Sequence, residues 1–145
     1  MSNRKVNKSL LGLVLSAALG IQLIPVEHTN PPVKSDLSAP PEIKAVLKRS
    51  CYACHSNETL WPWYGQVAPI AWLFNAEVLE ARSEMNFSTW KSYRLGERSD
   101  YFEELIEQVE TGEMPPWQFR LIDPVSRLSP GEIEMLSAWA AKNIR

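Results

Sequence analysis

The residues best suited to chemistry lie within one five-residue run, which holds Cys51, Cys54 and His55. On a helix, this spacing places the two thiols about one turn apart and the imidazole directly after the second thiol. Two such thiols can add across the two vinyl groups of one porphyrin, and the imidazole can then bind the iron. The C-x-x-C-H pattern is typical of c-type haem attachment. It predicts one covalent haem, with Cys51 and Cys54 as the thioether residues and His55 as the proximal ligand.

The same cysteine pair allows other interpretations. A thiol–disulfide redox pair belongs in strand–helix–strand patterning, which the surrounding sequence lacks. A zinc site needs about four ligands, and beyond carboxylates the chain adds only the distant His28. A disulfide between residues three apart closes a very small loop and stabilises little. Covalent haem is the favoured interpretation, and the dithiol redox pair is kept as an alternative.

A six-coordinate haem needs a second axial ligand, and a methionine thioether is a common one. The chain has four methionines. Met114 lies in a stretch stiffened by Pro115 and Pro116, which could hold its sulfur at a fixed position. Met1 belongs to the N-terminal segment, and Met135 falls within a predicted helix, where core packing is its expected role. Met114 is therefore the predicted distal ligand, with Met85 or an open sixth position as the alternatives.

Composition limits the class of protein. A length of 145 residues fits one domain plus an appendage, and 45% hydrophobic residues allow a packed core. A net charge of −2 gives no electrostatic footprint for nucleic acid, so no nucleic-acid partner is expected. Six tryptophans are many for this length. They suit either the enclosure of a flat apolar cofactor or an ordinary core.

The first 24 residues resemble a targeting segment. Three positive charges within the first eight residues precede an uncharged apolar run from Ser9 to Ile24. This pattern is typical of a secretory signal peptide or a signal-anchor helix, although the run is slightly short for a transmembrane helix of about 20 residues. The positive end stays in the cytoplasm. We therefore expect the rest of the chain on the periplasmic side of a bacterial inner membrane, either anchored there or released by cleavage.

The remaining chain divides into a proline-rich linker over 25–41 and a helical domain over 42–145. Helical spacing of apolar residues predicts helices over 41–51, 69–82 and 98–110, and a last helix from Pro130. Ser99 is the predicted N-cap of the third of these helices, and Gly112 is predicted to end it. Ser129 and Glu132 form a capping box before the last helix. No segment alternates like a strand, so the predicted fold class is all-α.

An aromatic segment, Trp61-Pro62-Trp63-Tyr64, interrupts the helices. Pro62 and the following Gly65 break any regular element. The segment could wrap one edge of a haem, or it could be a rigid loop that packs on its own rings. The sequence leaves both interpretations open.

The chain resembles a family of small bacterial haem-binding domains that are cytochrome c-like. The resemblance runs from the linker to the end of the chain. The matching segments are Thr29-Asn30-Pro31-Pro32, Cys51 through Thr59, Trp61-Pro62-Trp63-Tyr64, Ala68-Pro69, Asn86-Phe87-Ser88, Gly112-Glu113-Met114-Pro115-Pro116, Leu128-Ser129 and Trp139-Ala140. The resemblance implies an exported, membrane-tethered haem protein, in which Cys51, Cys54 and His55 are the haem residues.

More broadly, the order of elements is similar to that of class I cytochromes c. That likeness implies a cytochrome c-like helical domain around one haem c, with Met114 as the distal ligand. It also implies that Trp139 contacts the crossing between the last helix and the first. By the same likeness, a backbone carbonyl near Pro69 would accept a hydrogen bond from the second ring nitrogen of His55.

The expected function is one-electron transfer with a redox partner protein in the cell envelope, because two protein ligands on the iron leave no place for a substrate. An open sixth position would instead suit a peroxidase-like enzyme or a haem sensor. The sequence therefore favours an electron carrier over an enzyme and leaves the question open.

Overall fold

The structure, a computed structural model, describes residues 8–144. Within that range the chain is helical, and its only extended pairing is an isolated bridge between Ser35 and Thr89. This confirms the predicted all-α class. The helices are α1 (Lys8–Gly20), α2 (Pro41–Ser50), α3 (Tyr52–His55), α4 (Ile70–Glu84), α5 (Leu95–Thr111), α6 (Trp117–Ile122) and α7 (Pro130–Ala141). Short 3-10 turns lie at Ile21–Leu23, Trp63–Gln66, Trp90–Ser92 and Pro124–Ser126.

Helix α5 begins three residues before its predicted start, and the prediction that Ser99 caps it is wrong. The N-cap is Arg94, whose backbone N–H donates to the Glu97 carboxylate at 2.6 Å. Ser99 lies inside the helix and is buried. The helix ends at Gly112, as predicted, with a left-handed φ of 75° that favours glycine.

The capping box of α7 is confirmed. The Ser129 backbone N–H donates to the Glu132 carboxylate at 2.8 Å, and the Glu132 N–H donates to the Ser129 hydroxyl at 3.4 Å. These two bonds satisfy backbone donors that the first turn of a helix otherwise leaves unpaired.

The described part of the N-terminal segment forms helix α1. Within residues 8–144, no helix combines the length and the apolar character needed to cross a bilayer. Helix α1 is 13 residues long, and none of its residues is buried. The basic residues Arg4 and Lys5 of the predicted targeting signal lie outside the described residues.

The chain divides into two compact units. The N-terminal unit comprises Met1–His28 and Trp61–Glu77, and the motif unit comprises Thr29–Leu60 and Val78–Arg145. In the N-terminal unit, aromatic rings pack on one another, with the ring of Phe74 5.9 Å from those of Trp61 and Tyr64.

The motif unit contains a core shared by α2, α5 and α7. Leu47 and Leu136 are fully buried in it. Trp139 packs edge-on against Phe102 of α5, at 5.3 Å between ring centroids, so its aromatic partner comes from α5. The core also includes Leu37, which is 2% exposed and donates its N–H to the Phe87 carbonyl at 2.9 Å. The boundaries drawn at residues 24 and 41 from the sequence stay a prediction.

Candidate haem-binding site

The C-x-x-C-H run forms one helical turn that follows α2 almost without a break. The N–H of Cys51 still donates to the Leu47 carbonyl at 2.8 Å, which completes α2. The Cys51 carbonyl then accepts from the N–H groups of Cys54 and His55 at 3.1 and 2.9 Å. A non-helical φ of −125° at Cys51 separates the two helices. The three predicted haem residues therefore lie on a single turn that follows α2, a helix with one buried face.

Tyr52, between the two cysteines, fixes this turn to the rest of the motif unit. Its buried ring stacks on Phe87 at 5.1 Å. Its hydroxyl donates to Asp36 at 2.6 Å, and the Lys44 ammonium donates to that hydroxyl as well. Burial and the hydrogen bond to Asp36 raise the pKa of Tyr52, so the phenol stays protonated and can donate.

His55 is oriented by two backbone carbonyls at the end of α4. Its Nδ1 lies 3.1 Å from the Ala81 oxygen and 3.0 Å from the Met85 oxygen. Because carbonyl oxygens only accept, Nδ1 must carry the proton, and Nε2 keeps its lone pair. Burial lowers the pKa of His55, which favours the neutral ring. The expected hydrogen-bond partner of His55 Nδ1 was a backbone carbonyl near Pro69, at the start of α4. That expectation is wrong, because the end of α4 lies beside His55.

Buried polar side chains join the segments on either side of the motif. Asn57 donates its amide N–H to the Pro32 carbonyl at 3.1 Å, and its backbone N–H to the Ser88 hydroxyl at 2.9 Å. The Asn86 amide donates to the Asn57 amide oxygen at 2.8 Å, and the Phe87 N–H donates to the His55 carbonyl at 2.8 Å. These residues belong to three of the segments that carry the resemblance. Their structural role is to hold the C-x-x-C-H turn in place.

Arg82 of α4 completes this network, and sequence reasoning missed it. Its guanidinium donates to the carbonyls of Ser56 and Thr29, both at 2.7 Å. It also donates to the Asn30 amide oxygen at 2.7 Å and to the Thr59 hydroxyl at 2.9 Å. A planar group with five N–H donors suits such a junction. The only sequence signal was one arginine in the last turn of a helix, which usually indicates a solvated helix end.

The environment of Cys51 differs from that of a reactive thiol. Cys51 is a thiol rather than half of a disulfide. Burial, together with the neighbouring Cys54, raises the pKa of Cys51 to about 12. Catalytic thiols in redox pairs have lowered pKa values, because the thiolate is the attacking species. The direction of this shift is opposite to that of such redox-active thiols.

Met114 lines an open cleft of about 420 Å³, a volume within the usual range for small-molecule sites. Its side chain is 37% exposed. The walls come from the end of α5, from α6 and from the start of α7. They are formed by Val109, Gly112, Met114, Pro115, Trp117, Arg120, Leu121, Arg127, Leu128 and Ile133.

The structure brings Cys51, Cys54 and His55 together, but none of them lines the cleft that Met114 lines. Arg49, at the end of α2, links the helix that precedes the C-x-x-C-H turn to the wall of the cleft. Its guanidinium donates to the Arg127 carbonyl in the cleft wall at 3.3 Å.

Met85, the alternative distal ligand, and Met135 both contact the core of the motif unit. Met85 offers its carbonyl to His55 on the Nδ1 side, and its side chain packs against the core of the motif unit. Met135 packs against the same core. Among residues 8–144, no three side chains of the His, Cys, Asp or Glu type are placed to bind a metal ion together.

The donor set fits haem. One turn offers two cysteine side chains and an imidazole whose Nδ1 is tied to carbonyls, so that Nε2 is the nitrogen left to bind iron. An all-helical fold that presents this set has the features of a haem-binding protein. The model of the family described as "Haem-binding domain" matches residues 16–142, and the chain belongs to that family. No curated protein and no solved structure matched the chain.

Proposed function

We propose that this haem-binding protein is an exported c-type cytochrome that carries one electron at a time in the bacterial cell envelope. The observation that carries the proposal is the orientation of His55. Its Nδ1 is held by the carbonyls of Ala81 and Met85, on the turn that also bears both cysteines. A fixed tautomer with Nε2 available is the form in which histidine binds a metal.

Each proposed site residue has a distinct task. Cys51 and Cys54 would bond the porphyrin through thioethers, and His55 would bind the iron from the proximal side. Met114 would be the distal ligand, and together the two axial ligands would exclude water and substrates from the iron. Haem supplies a reversible one-electron iron couple when bound. The Arg82 network would limit reorganisation around the histidine during electron transfer.

Export follows from the chemistry of attachment and from the N-terminal sequence. Haem c is attached outside the cytoplasm, and a basic start followed by an uncharged apolar run directs a chain there. We propose that residues 1–24 tether the protein to the periplasmic side of the inner membrane, with 25–41 as the connection and 42–145 as the haem domain. The redox partner would be another envelope protein.

Expression with export and haem maturation machinery tests covalent attachment. We expect a band that stains for haem after denaturing electrophoresis, because thioether bonds survive denaturation. An exported, folded protein without a haem stain and with two titratable thiols would overturn the proposal in favour of the dithiol alternative.

One observation favours a second candidate, a haem sensor or peroxidase-like enzyme. The cleft that Met114 lines is open to solvent and includes none of the C-x-x-C-H residues. Absorption spectra distinguish the candidates. Methionine ligation gives a weak far-red band, which Met114→Leu should abolish and the matched control Met85→Leu should retain. A high-spin spectrum that changes with carbon monoxide or peroxide would favour the second candidate.

A further inference from the structure

We propose that the aromatic segment of the N-terminal unit docks on the lipid headgroup–acyl boundary beside helix α1. The docking surface, here called the apolar patch, consists of Trp63, Val67, Ile70 and Leu73. This inference rests on the proposed membrane tether and extends it from α1 to a second segment of the chain.

Helix α1 is apolar on all sides, since Ser9 to Gly20 contains no charged residue, and the N-terminal unit covers none of its side chains. A helix of this kind has no polar face to turn toward water, so it requires an apolar medium. The family model begins at residue 16, within this helix, so the end of α1 belongs to the domain that the family shares.

The apolar patch is exposed in the same unit. Trp63 is 78% exposed and Leu73 is 66% exposed. Ile70 and Leu73 lie three residues apart in the first turn of α4, so they share one side of that helix. Val67, which is 44% exposed, precedes the helix in an extended conformation, and its carbonyl accepts from the Ala71 N–H at 2.9 Å.

A pair of hydrogen bonds holds the patch segment to the end of α1. Gln22, two residues after α1, donates its side-chain N–H to the Ala68 carbonyl at 3.1 Å. The Ala68 N–H donates to the Gln22 side-chain oxygen at 3.0 Å. Because Ala68 directly follows Val67, a bilayer that receives α1 meets the patch segment where α1 ends.

The occupant is a bilayer interface because the segment contains no charge. From Thr59 to Ala76 the sequence has no Asp, Glu, Lys or Arg. Tryptophan and tyrosine, which this segment supplies at Trp63 and Tyr64, concentrate at membrane–water interfaces, where one end of the ring is apolar and the other is wet. A patch that bound a charged protein partner would carry complementary charge.

The test places the full-length, haem-loaded protein in phosphatidylcholine–phosphatidylglycerol vesicles with a carbene-generating probe that partitions into lipid. After illumination, mass spectrometry maps the labelled peptides. We expect label in 9–24 and in 61–76, and little in 95–111. Label in 9–24 alone would overturn the docking proposal and leave the tether intact. Label in neither segment would overturn both.

Matched variants sharpen the result. Leu73→Ser should reduce label in 61–76 about tenfold relative to 9–24. Leu73 is exposed in the protein, so lipid would bury most of its apolar surface, and a serine would lose that contribution to membrane binding. Leu95→Ser is the control, because Leu95 is 69% exposed in the motif unit and should leave the ratio unchanged. Haem content reports folding of both variants. Equal effects of the two substitutions would overturn the proposal.

Discussion

The two units of this chain differ most in how they use charge. Five of the 45 residues in the N-terminal unit are charged, and three of these fall within its first eight residues. In the motif unit, 27 of 100 residues are charged. In the N-terminal unit the leucines of α1 and Leu73 of α4 are exposed, whereas in the motif unit Leu47 of α2 and Leu136 of α7 are fully buried.

This difference separates two tasks. In the motif unit, charged and amide side chains hold segments together around the C-x-x-C-H turn, as Arg82 and Asn57 do. Buried polar groups of this kind fix one arrangement, because each loses free energy if its partner moves away. In the N-terminal unit, apolar side chains face outward, and the clearest long-range polar link is between Gln22 and Ala68. The first pattern suits a cofactor site, and the second suits contact with an apolar medium.

The largest expected effect is a complete loss of covalent haem with no loss of membrane association. The double substitution Cys51→Ala/Cys54→Ala should abolish the haem stain, because both thioether bonds are lost, while the protein stays in the membrane fraction. Haem staining and immunoblotting of membrane fractions measure the two properties on the same sample. Leu73→Ser is the reciprocal control and should keep its haem stain. Loss of membrane association in the cysteine variant would contradict the division of tasks.

Two leucines measure the difference in burial between the units. Leu136→Ala should lower the free energy of unfolding by about 3 kcal/mol, because a fully buried leucine leaves a cavity when truncated. Leu73→Ala, at a site 66% exposed, should change it by less than about 0.5 kcal/mol. Denaturant titration of the full-length protein in detergent provides both values. Similar losses at both positions would show that exposure does not distinguish the units.

Arg82 tests whether side-chain hydrogen bonds support the motif unit. Arg82→Ala removes donors to Ser56, Thr29, Asn30 and Thr59, and should cost about 2 kcal/mol of unfolding free energy after allowance for its partial exposure. Arg94→Ala is the matched control, because its ion pair with Glu97 lies on the surface with the Arg94 side chain 86% exposed, and it should cause no measurable change. The same denaturant titration compares them. Equal losses of unfolding free energy would indicate that the Arg82 hydrogen bonds do not stabilise the motif unit more than a surface ion pair does.

The smallest effect concerns the ion pair between Arg49 and Glu132, whose atoms lie 2.8 Å apart. Arg49 lowers the pKa of Glu132 to about 2, from 4.5 in the unfolded chain. The depressed pKa means that this stability is present above pH 4.5 and is lost as pH falls toward 2. Glu132→Gln, which keeps the capping geometry, should therefore cost about 1 kcal/mol at pH 7 and nearly nothing at pH 2.

Unfolding curves of wild type and variant at both pH values check this difference. Glu134→Gln, an exposed neighbour on α7, is the control. A cost for Glu132→Gln that does not change with pH would mean that the ion pair is not its source.

Features that depend on neighbouring residues could be predicted from the sequence. The all-α class, the glycine stop at Gly112 and the capping box at Ser129 depend on neighbouring residues, and the structure confirms them. The haem cofactor was predicted in the same way from the C-x-x-C-H spacing, and the family match supports it. The start of α5 was misplaced because the helix is capped at Arg94 through the Glu97 carboxylate, and arginine is not among the residue types that usually indicate an N-cap.

Only the tertiary structure decided which distant groups meet. The partners of His55 come from residues 26 and 30 positions away, and those of Arg82 from up to 53 positions away. Such pairings follow from how helices pack, and no periodicity within a segment encodes them. Sequence spacing therefore sets which side chains the C-x-x-C-H turn carries, and packing sets which nitrogen of His55 is held by backbone carbonyls.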